Sequence, residues 1–359
     1  MDRKLLYSTI SLMVIGLVMV YSSSSVMAEG RFGSHLYFLK RQMIWLIAAG
    51  AAGWITTRID LKKYATSSVV AVFISLGMLA MVFFMEARNG SHRWLFIGPL
   101  TIQPSELFRL AIIYYLAFSL SQEKRDITQF KQFLIPYVPL IGLGLILIIL
   151  EPGLGSAITI SATVIGIFFL AGMRLYHLST LIFPVVGIIL VMVFGLQYKI
   201  QRVHDYISAV KDPLSGSYQV KQAVLALGAG GLFGSGIGDG NQKLFFLPYP
   251  HTDFIFASIG EEVGFFGLTL IMILYYIIIW RGFIIAGYQP DKFGYLLAIG
   301  ITISIAAAVI INIGVVTTLL PTTGIPLPFL SYGGSALLIS VISVAILLNL
   351  STRRGMVVR

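Results

Sequence analysis

The sequence predicts an all-α polytopic membrane protein with ten transmembrane helices and a large extracytoplasmic loop between the seventh and the eighth. Three observations carry that reading. Of the 359 residues, 57% are hydrophobic and 11% charged, against roughly a quarter charged in soluble domains, and the mean hydropathy is +0.90. Apolar stretches long enough for a bilayer, about 20 residues each, recur along the whole chain. Lys and Arg gather in alternate connections between them.

The stretches lie near residues 5–27, 42–57, 66–85, 105–121, 133–150, 155–173, 178–196, 254–280, 294–319 and 334–350. The first follows Arg3 and Lys4 and ends at Val26-Met27-Ala28, which resembles a signal-peptide cleavage site; it is read as an uncleaved helix. Ten spans place both termini on one side. That side carries Arg3, Lys4, Arg58, Lys62, Lys63, Lys124, Arg125, Lys131, Arg174, Arg281, Lys292, Arg353, Arg354 and Arg359, 14 of the 25 basic residues. The excess of positive charge makes it cytoplasmic. Five of the others, Lys199, Arg202, Lys211, Lys221 and Lys243, fall in the single connection 197–253, where the charge rule is weak because the segment is long.

That connection has too few charges and too many apolar residues for disorder, so it is expected to fold against the membrane. Residues 217–227 (SYQVKQAVLAL) read as a short amphipathic helix, followed by Gly228, Gly230, Gly231, Gly234, Gly236, Gly238 and Gly240. The glycines are read as sites of tight backbone packing. A phosphate contact is the alternative, disfavoured because no strand precedes them and the spacing is not G-x-G-x-x-G. The chain 1–359 reads as one membrane domain.

Cysteine is absent, which excludes disulfides, thiolate nucleophiles and Cys-based metal sites. The net charge is +10, but no basic run exceeds two residues. Nucleic acid is therefore a poor partner, and anionic lipid or an anionic lipid-linked substrate a better one.

Ionisable residues in apolar spans are expensive and point to function. Here they collect on the predicted outer half: Glu106 and Arg109 three residues apart on one helical face, Glu151 at the end of the fifth span, Asp253 at the start of the eighth, and Arg93, Lys211 and Lys243 in outer connections. Glu261 and Glu262 lie deeper, about 12 Å beyond Asp253 at 1.5 Å per residue, and need partners inside the bundle. Simpler roles stand beside these. Asp253 has the place of a helix N-cap, Glu106 with Arg109 that of an ion pair locking helices together, and Glu261 with Glu262 that of hydrogen-bonded ties to neighbouring helices. His251 is read as a hydrogen-bond partner of its loop rather than a metal ligand, since no second His or Cys stands at ligand spacing.

Three outer connections, RWLFIGPLTIQPSE (93–106), EPGLGSA (151–157) and PTTGIPLPFLSYGGS (321–335), are rich in Pro and Gly, which makes rigid, irregular surfaces of the kind tolerated around a cavity. With 197–253 they are expected to form one outer cleft, floored by Glu106, Glu151 and Asp253 and ringed by Arg93, Arg109, Lys211 and Lys243. These three stretches, together with DPLSGSYQVKQ and QKLFFLPYPHTDFIFASIGEEVG, resemble in matching order the signature blocks of the SEDS family (shape, elongation, division and sporulation proteins), the FtsW and RodA type. The wording of NQKLFFLPYPHTDFIFASIGEE and NIGVVTTLLPTTG is closer to the division and sporulation branch.

The resemblance implies a polymerase of the bacterial cytoplasmic membrane that joins lipid II units into glycan strands at the outer face. It implies work beside a class B penicillin-binding protein that cross-links the product, and beside other division or elongation proteins. Asp253, in its His-Thr-Asp-Phe context, matches the family's essential aspartate, and a carboxylate suits the general base that takes the acceptor hydroxyl proton. Arg93, Arg109, Lys211 and Lys243 are candidates for stabilising the departing diphosphate, a task that a divalent cation, Mg or Mn, can share. Glu106, Glu151, His251 and Ser331 complete the substrate-binding candidates. Two departures stand out: Gly153 replaces the family's usual Asp in Glu-Pro-Asp-Leu-Gly-Thr, and Arg109 replaces its usual Lys, keeping the charge but changing the donor geometry. A lipid flippase or transporter, and a non-catalytic scaffold for a transpeptidase, are the competing readings.

Overall fold

The computed structural model describes residues 1–85, 92–98, 100–122, 130–174, 200–212, 214–241 and 246–352, together with 176, 177, 179 and 187. Its helices are α1 (Arg3–Phe32), α2 (Tyr37–Arg58), α3 (Ser67–Met81, continued by a 3-10 turn at Val82–Phe84), α4 (Pro104–Leu120), α5 (Phe130–Leu150), α6 (Leu154–Leu170), α7 (Ile200–Lys211), α8 (Tyr218–Gly230), α9 (Ile255–Gly287), α10 (Lys292–Val316) and α11 (Gly334–Thr352). All but α7 and α8 coincide with apolar stretches of the sequence; the stretch 178–196 falls outside the described residues except for 179 and 187. Among the described residues, five segments, α1, Ser67–Phe84, α9, α10 and α11, are long and apolar enough to cross a membrane by length and composition. The 217–227 segment is helical as expected, within α8.

Irregular backbone was expected across 93–106. Instead Leu95–Ile97 (β1) and Leu100–Ile102 (β2) pair as a short antiparallel hairpin, because Leu-Phe-Ile and Leu-Thr-Ile supply β-branched and aromatic side chains on both arms. Pro104 then opens α4 at its first turn, where its missing N–H costs nothing.

α10 and α11 are the most enclosed helices. α10 packs on α9, α6 and α4, while α11 packs along α2. Both are apolar all round, which is the pattern of a buried helix. The outer helices instead expose large apolar side chains, among them Trp54, Phe73, Ile74, Phe265, Phe266 and Tyr276. Exposed apolar surface on this scale matches hydrocarbon rather than water as its surroundings.

At the end where α1 begins, polar groups clasp the bundle. Asp2 caps α1 by accepting from Leu5 N at 3.0 Å, pairs with the Arg281 guanidinium and donates its own N–H to Ser351 Oγ at 3.0 Å. Asn349 Nδ2 lies 2.8–3.2 Å from the carbonyls of Thr56, Thr57 and Ile59, satisfying acceptors that the end of α2 leaves over.

α9 is broken at Gly264, where φ is +67° and ψ −169°, a conformation essentially confined to glycine. The helical hydrogen bonds lost at the break are replaced by the glycine-rich segment after α8. Ser235 N and Gly236 N donate to Glu261 O and Glu262 O at 2.9 and 3.1 Å, and Phe265 N and Phe266 N donate to Gly231 O and Leu232 O at 2.9 and 3.2 Å. The glycines thus serve backbone packing: a Cβ at Gly230 would sit 1.9 Å from Gly260 O, and one at Gly264 2.3 Å from Gly234 N.

The carboxylates beside the break are held by the same segment. Glu262 accepts from Gly238 N at 3.0 Å and from Ser22 Oγ of α1 at 2.6 and 2.7 Å, and Glu261 accepts from Asn241 N at 2.8 Å. The two buried acids therefore tie α9 to α1 and to the glycine segment. Gly264→Ala is expected to destabilise the protein by about 3 kcal/mol, from the strained φ and the overlap together. Gly228→Ala, where nothing lies within 4 Å of the added carbon, should change stability by less than about 1 kcal/mol. Melting temperatures of the two purified variants check the contrast.

Candidate active site

The three Pro/Gly connections meet, as the sequence suggests. Gln103 N donates to Ser335 Oγ at 3.1 Å, joining 93–106 to 321–335. A Cβ at Gly155 would sit 2.5 Å from the Ile325 side chain and 2.9 Å from Thr323 O, so 151–157 lies directly against the same stretch. Arg93 Nε donates to Glu151 O at 3.1 Å, and its Nη2 donates to Pro152 O. The 325–331 stretch turns inward between the helices, where Tyr275 OH donates to Pro328 O and the backbone at Phe329 and Leu330 presses on Gly16 of α1.

Asp253 lies in the turn that leads into α9 and is half-buried. It is not the helix cap that its position suggested: the N-cap is Phe254, which gives no side-chain bond. The carboxylate faces Gly324 instead. A methyl group on Gly324 would sit 3.3 Å from Asp253 Oδ2 and 3.8 Å from Arg93 Nη1, so base candidate and cation candidate border the same point of the main chain.

The turn itself is fastened from several directions. Ser331 Oγ donates to Thr252 O at 2.7 Å and accepts from Leu327 N at 2.8 Å, while Tyr332 N donates to His251 O at 2.8 Å. Asn312 of α10 donates to Asp253 O at 2.8 Å and to Ile325 O at 2.7 Å.

His251 is buried at 1% exposure, its ring packed on Phe38 and Tyr332 with centroids 4.4 and 5.5 Å away. His251 bonds its loop through the main chain, accepting from Tyr332 N; its ring Nδ1 has no partner among the described residues, and aromatic packing holds the ring. Burial, reinforced by the positive charge of Arg31, lowers its pKa from 6.5 to about 4, so the imidazole is neutral at neutral pH.

Glu151 is buried, and its Oε1 likewise has no partner among the described residues. Burial raises its pKa from 4.5 to about 8 against the opposing pull of Arg93, so near neutrality it is mainly a neutral acid.

Glu106 and Arg109 form an ion pair at 2.6 Å within the first turns of α4, rather than between two helices. They line a small crevice with Pro326, Pro328 and Ser331, beneath the inward loop. Lys211 is exposed at the end of α7, and its side chain makes no hydrogen bond or ion pair among the described residues. Lys243 lies outside the described residues. No three His, Cys, Asp or Glu side chains come together as metal ligands among the described residues. Asn312 and Gly324 were not singled out in the sequence. The signal for Asn312 was there, a lone amide in the apolar run IAAAVIINIGVV.

A family model for the FtsW, RodA and SpoVE cell cycle proteins matches residues 3–355. The chain belongs to that family. It is 40% identical to the stage V sporulation protein E of Bacillus subtilis, covering 98% of this chain and 96% of the relative. It is 38% identical to a probable peptidoglycan glycosyltransferase FtsW of Trichlorobacter lovleyi, covering 98% and 93%. Both names belong to the division and sporulation branch that the motifs resemble. The crystal structure of the rod shape determining protein RodA of Thermus thermophilus shares the fold, with a TM-score of 0.72 at 25% identity over 99% of this chain and 98% of that one.

Two titrations make this end of the bundle sensitive to pH. The folded protein holds on Glu151 a proton that the unfolded chain releases above pH 4.5, so this contribution to stability is full below 4.5 and is lost as pH rises to about 8. His251 acts in the other direction and only between about 4 and 6.5. Between pH 6.5 and 8, wild type should therefore lose about 2 kcal/mol relative to Glu151→Gln, at about 1.4 kcal/mol per pH unit. Melting curves of both proteins at the two pH values check it.

Proposed function

We propose that this family member is a peptidoglycan glycosyltransferase, polymerising lipid II into glycan strands at the outer face of the bacterial cytoplasmic membrane, with Asp253 as general base. The observation that carries the reading is the convergence of the Asp253 carboxylate and the Arg93 guanidinium on Gly324, in a chain whose relatives bear the glycosyltransferase name. In this reading ten helices cross the membrane as one domain, residues 1–359. Both termini are cytoplasmic and residues 197–253 lie outside; the seventh span is 178–196.

The reaction joins the acceptor's 4-hydroxyl oxygen to the donor's anomeric carbon while the bond from that carbon to the polyprenyl diphosphate breaks. Asp253 takes the hydroxyl proton as the new bond forms, a contribution of about 10²- to 10⁴-fold. Arg93, fixed by the Glu151 and Pro152 carbonyls, is the cation best placed to meet the charge growing on the departing diphosphate. Arg109, paired with Glu106 beneath the loop, and the outer lysines Lys211 and Lys243 serve substrate binding. Glu151 contributes as a neutral acid, and Ser331 and His251 act by holding the Asp253 turn. A divalent cation, Mg or Mn, would enter with the diphosphate rather than through a protein ligand set. A class B penicillin-binding protein and other division or elongation proteins are the proposed partners.

Purified protein, with and without the transpeptidase, given labelled lipid II tests the reading. Wild type should make polymer, and Asp253→Asn should fold normally and lose at least about 100-fold of the rate. Transfer of lipid II across vesicles without polymer would support a flippase instead, and full function in Asp253→Asn a scaffold.

A further inference from the structure

Asn312 is 2% exposed on α10, in an otherwise apolar run where an amide is costly to bury unless it is bonded. Both hydrogens of Nδ2 are used. One goes to Asp253 O at 2.8 Å and the other to Ile325 O at 2.7 Å, carbonyls that the chain brings together from 59 residues before and 13 residues after Asn312. The first belongs to the residue carrying the candidate base. The second follows Gly324, the point that Asp253 Oδ2 and Arg93 Nη1 both border.

One amide group is thus bonded to both walls of the site. Its orientation is dictated, because a half-turn would aim Oδ1 at two carbonyl oxygens. We infer that Asn312 is a positioning residue for glycan polymerisation, holding the Asp253 turn and the Gly324 wall at one fixed separation. The inference rests on the proposed polymerase reading and deepens it. Positioning errors near 1 Å can cost about 100-fold in rate, and nothing else among the described residues bonds both of these carbonyls.

The bundle supplies its own control. Asn349 uses the same chemistry, an Nδ2 among the carbonyls of Thr56, Thr57 and Ile59, at the opposite end of the molecule. Replacing either Asn by Asp removes the donors and sets an anion against carbonyl oxygens, so the chemical lesion is alike and only the place differs.

The experiment measures lipid II polymerisation by the full chain for wild type, Asn312→Asp, Asn312→Ala, Asn349→Asp and Asp253→Asn. It reads kcat per folded molecule, acceptor KM, the acid limb of the pH–rate profile and the melting temperature. Both Asn312 variants should lower kcat about 100-fold with KM near that of wild type, and should displace the acid limb. Asn349→Asp should lower the melting temperature and leave kcat and the acid limb as in wild type. If Asn312→Asp does not fold, Asn312→Ala carries the same comparison. Asn312 variants that behave like Asn349→Asp, beside an inactive Asp253→Asn, overturn this inference alone. An active Asp253→Asn overturns the base assignment, and the positioning role with it.

Discussion

Backbone that leaves a helix inside an apolar bundle has no water to bond, so every N–H and C=O it frees must find a partner in the protein. The break at Gly264 and the inward turn at 325–331 both live under this constraint, and each meets it with a different device. At Gly264, backbone bonds backbone: the glycine segment lies close enough to exchange four hydrogen bonds with the two halves of α9. At 325–331 the partners are side chains reaching in from elsewhere: Asn312 to Ile325 O, Ser331 to Leu327 N and Tyr275 to Pro328 O. The placement of Asp253 follows from both, since its turn leads into the broken helix and rests on the inward loop.

Charge in the site is arranged by the same economy of partners. Arg93 reaches the carbonyls of Glu151 and Pro152 while the Glu151 carboxyl itself is held neutral by burial. Two of the guanidinium's nitrogens are therefore oriented by neutral carbonyl acceptors. The Glu106–Arg109 pair is the opposite case, a buried ion pair closed on itself within one helix, which orders the crevice beneath the loop at little net charge.

Much of this was legible in the sequence because hydrocarbon makes strict demands. The apolar runs gave helices wherever residues are described, the glycine cluster gave close backbone approach, and Glu261 with Glu262 gave ties between elements. Apart from the hairpin at 95–102, what the sequence leaves open is which group satisfies which. Asp253 stands where caps stand, yet its carboxylate turns toward Gly324. His251 bonds its loop through its carbonyl, while Phe38 and Tyr332 enclose its ring. Local pattern marks a polar residue as needing a partner. It does not say whether the partner is adjacent or, as for Ser22 and Glu262, 240 positions away.

The stitching at Gly264 has a consequence for how this region can change over time. Main-chain hydrogen bonds are blind to the side chains on either side of them, so exposed residues such as Leu232 or Phe265 are free to drift while the shape persists. Positions where a single methyl group would collide with main chain, Gly230, Gly234 and Gly264, are pinned. Divergence should therefore accumulate here as side-chain turnover around a fixed glycine skeleton.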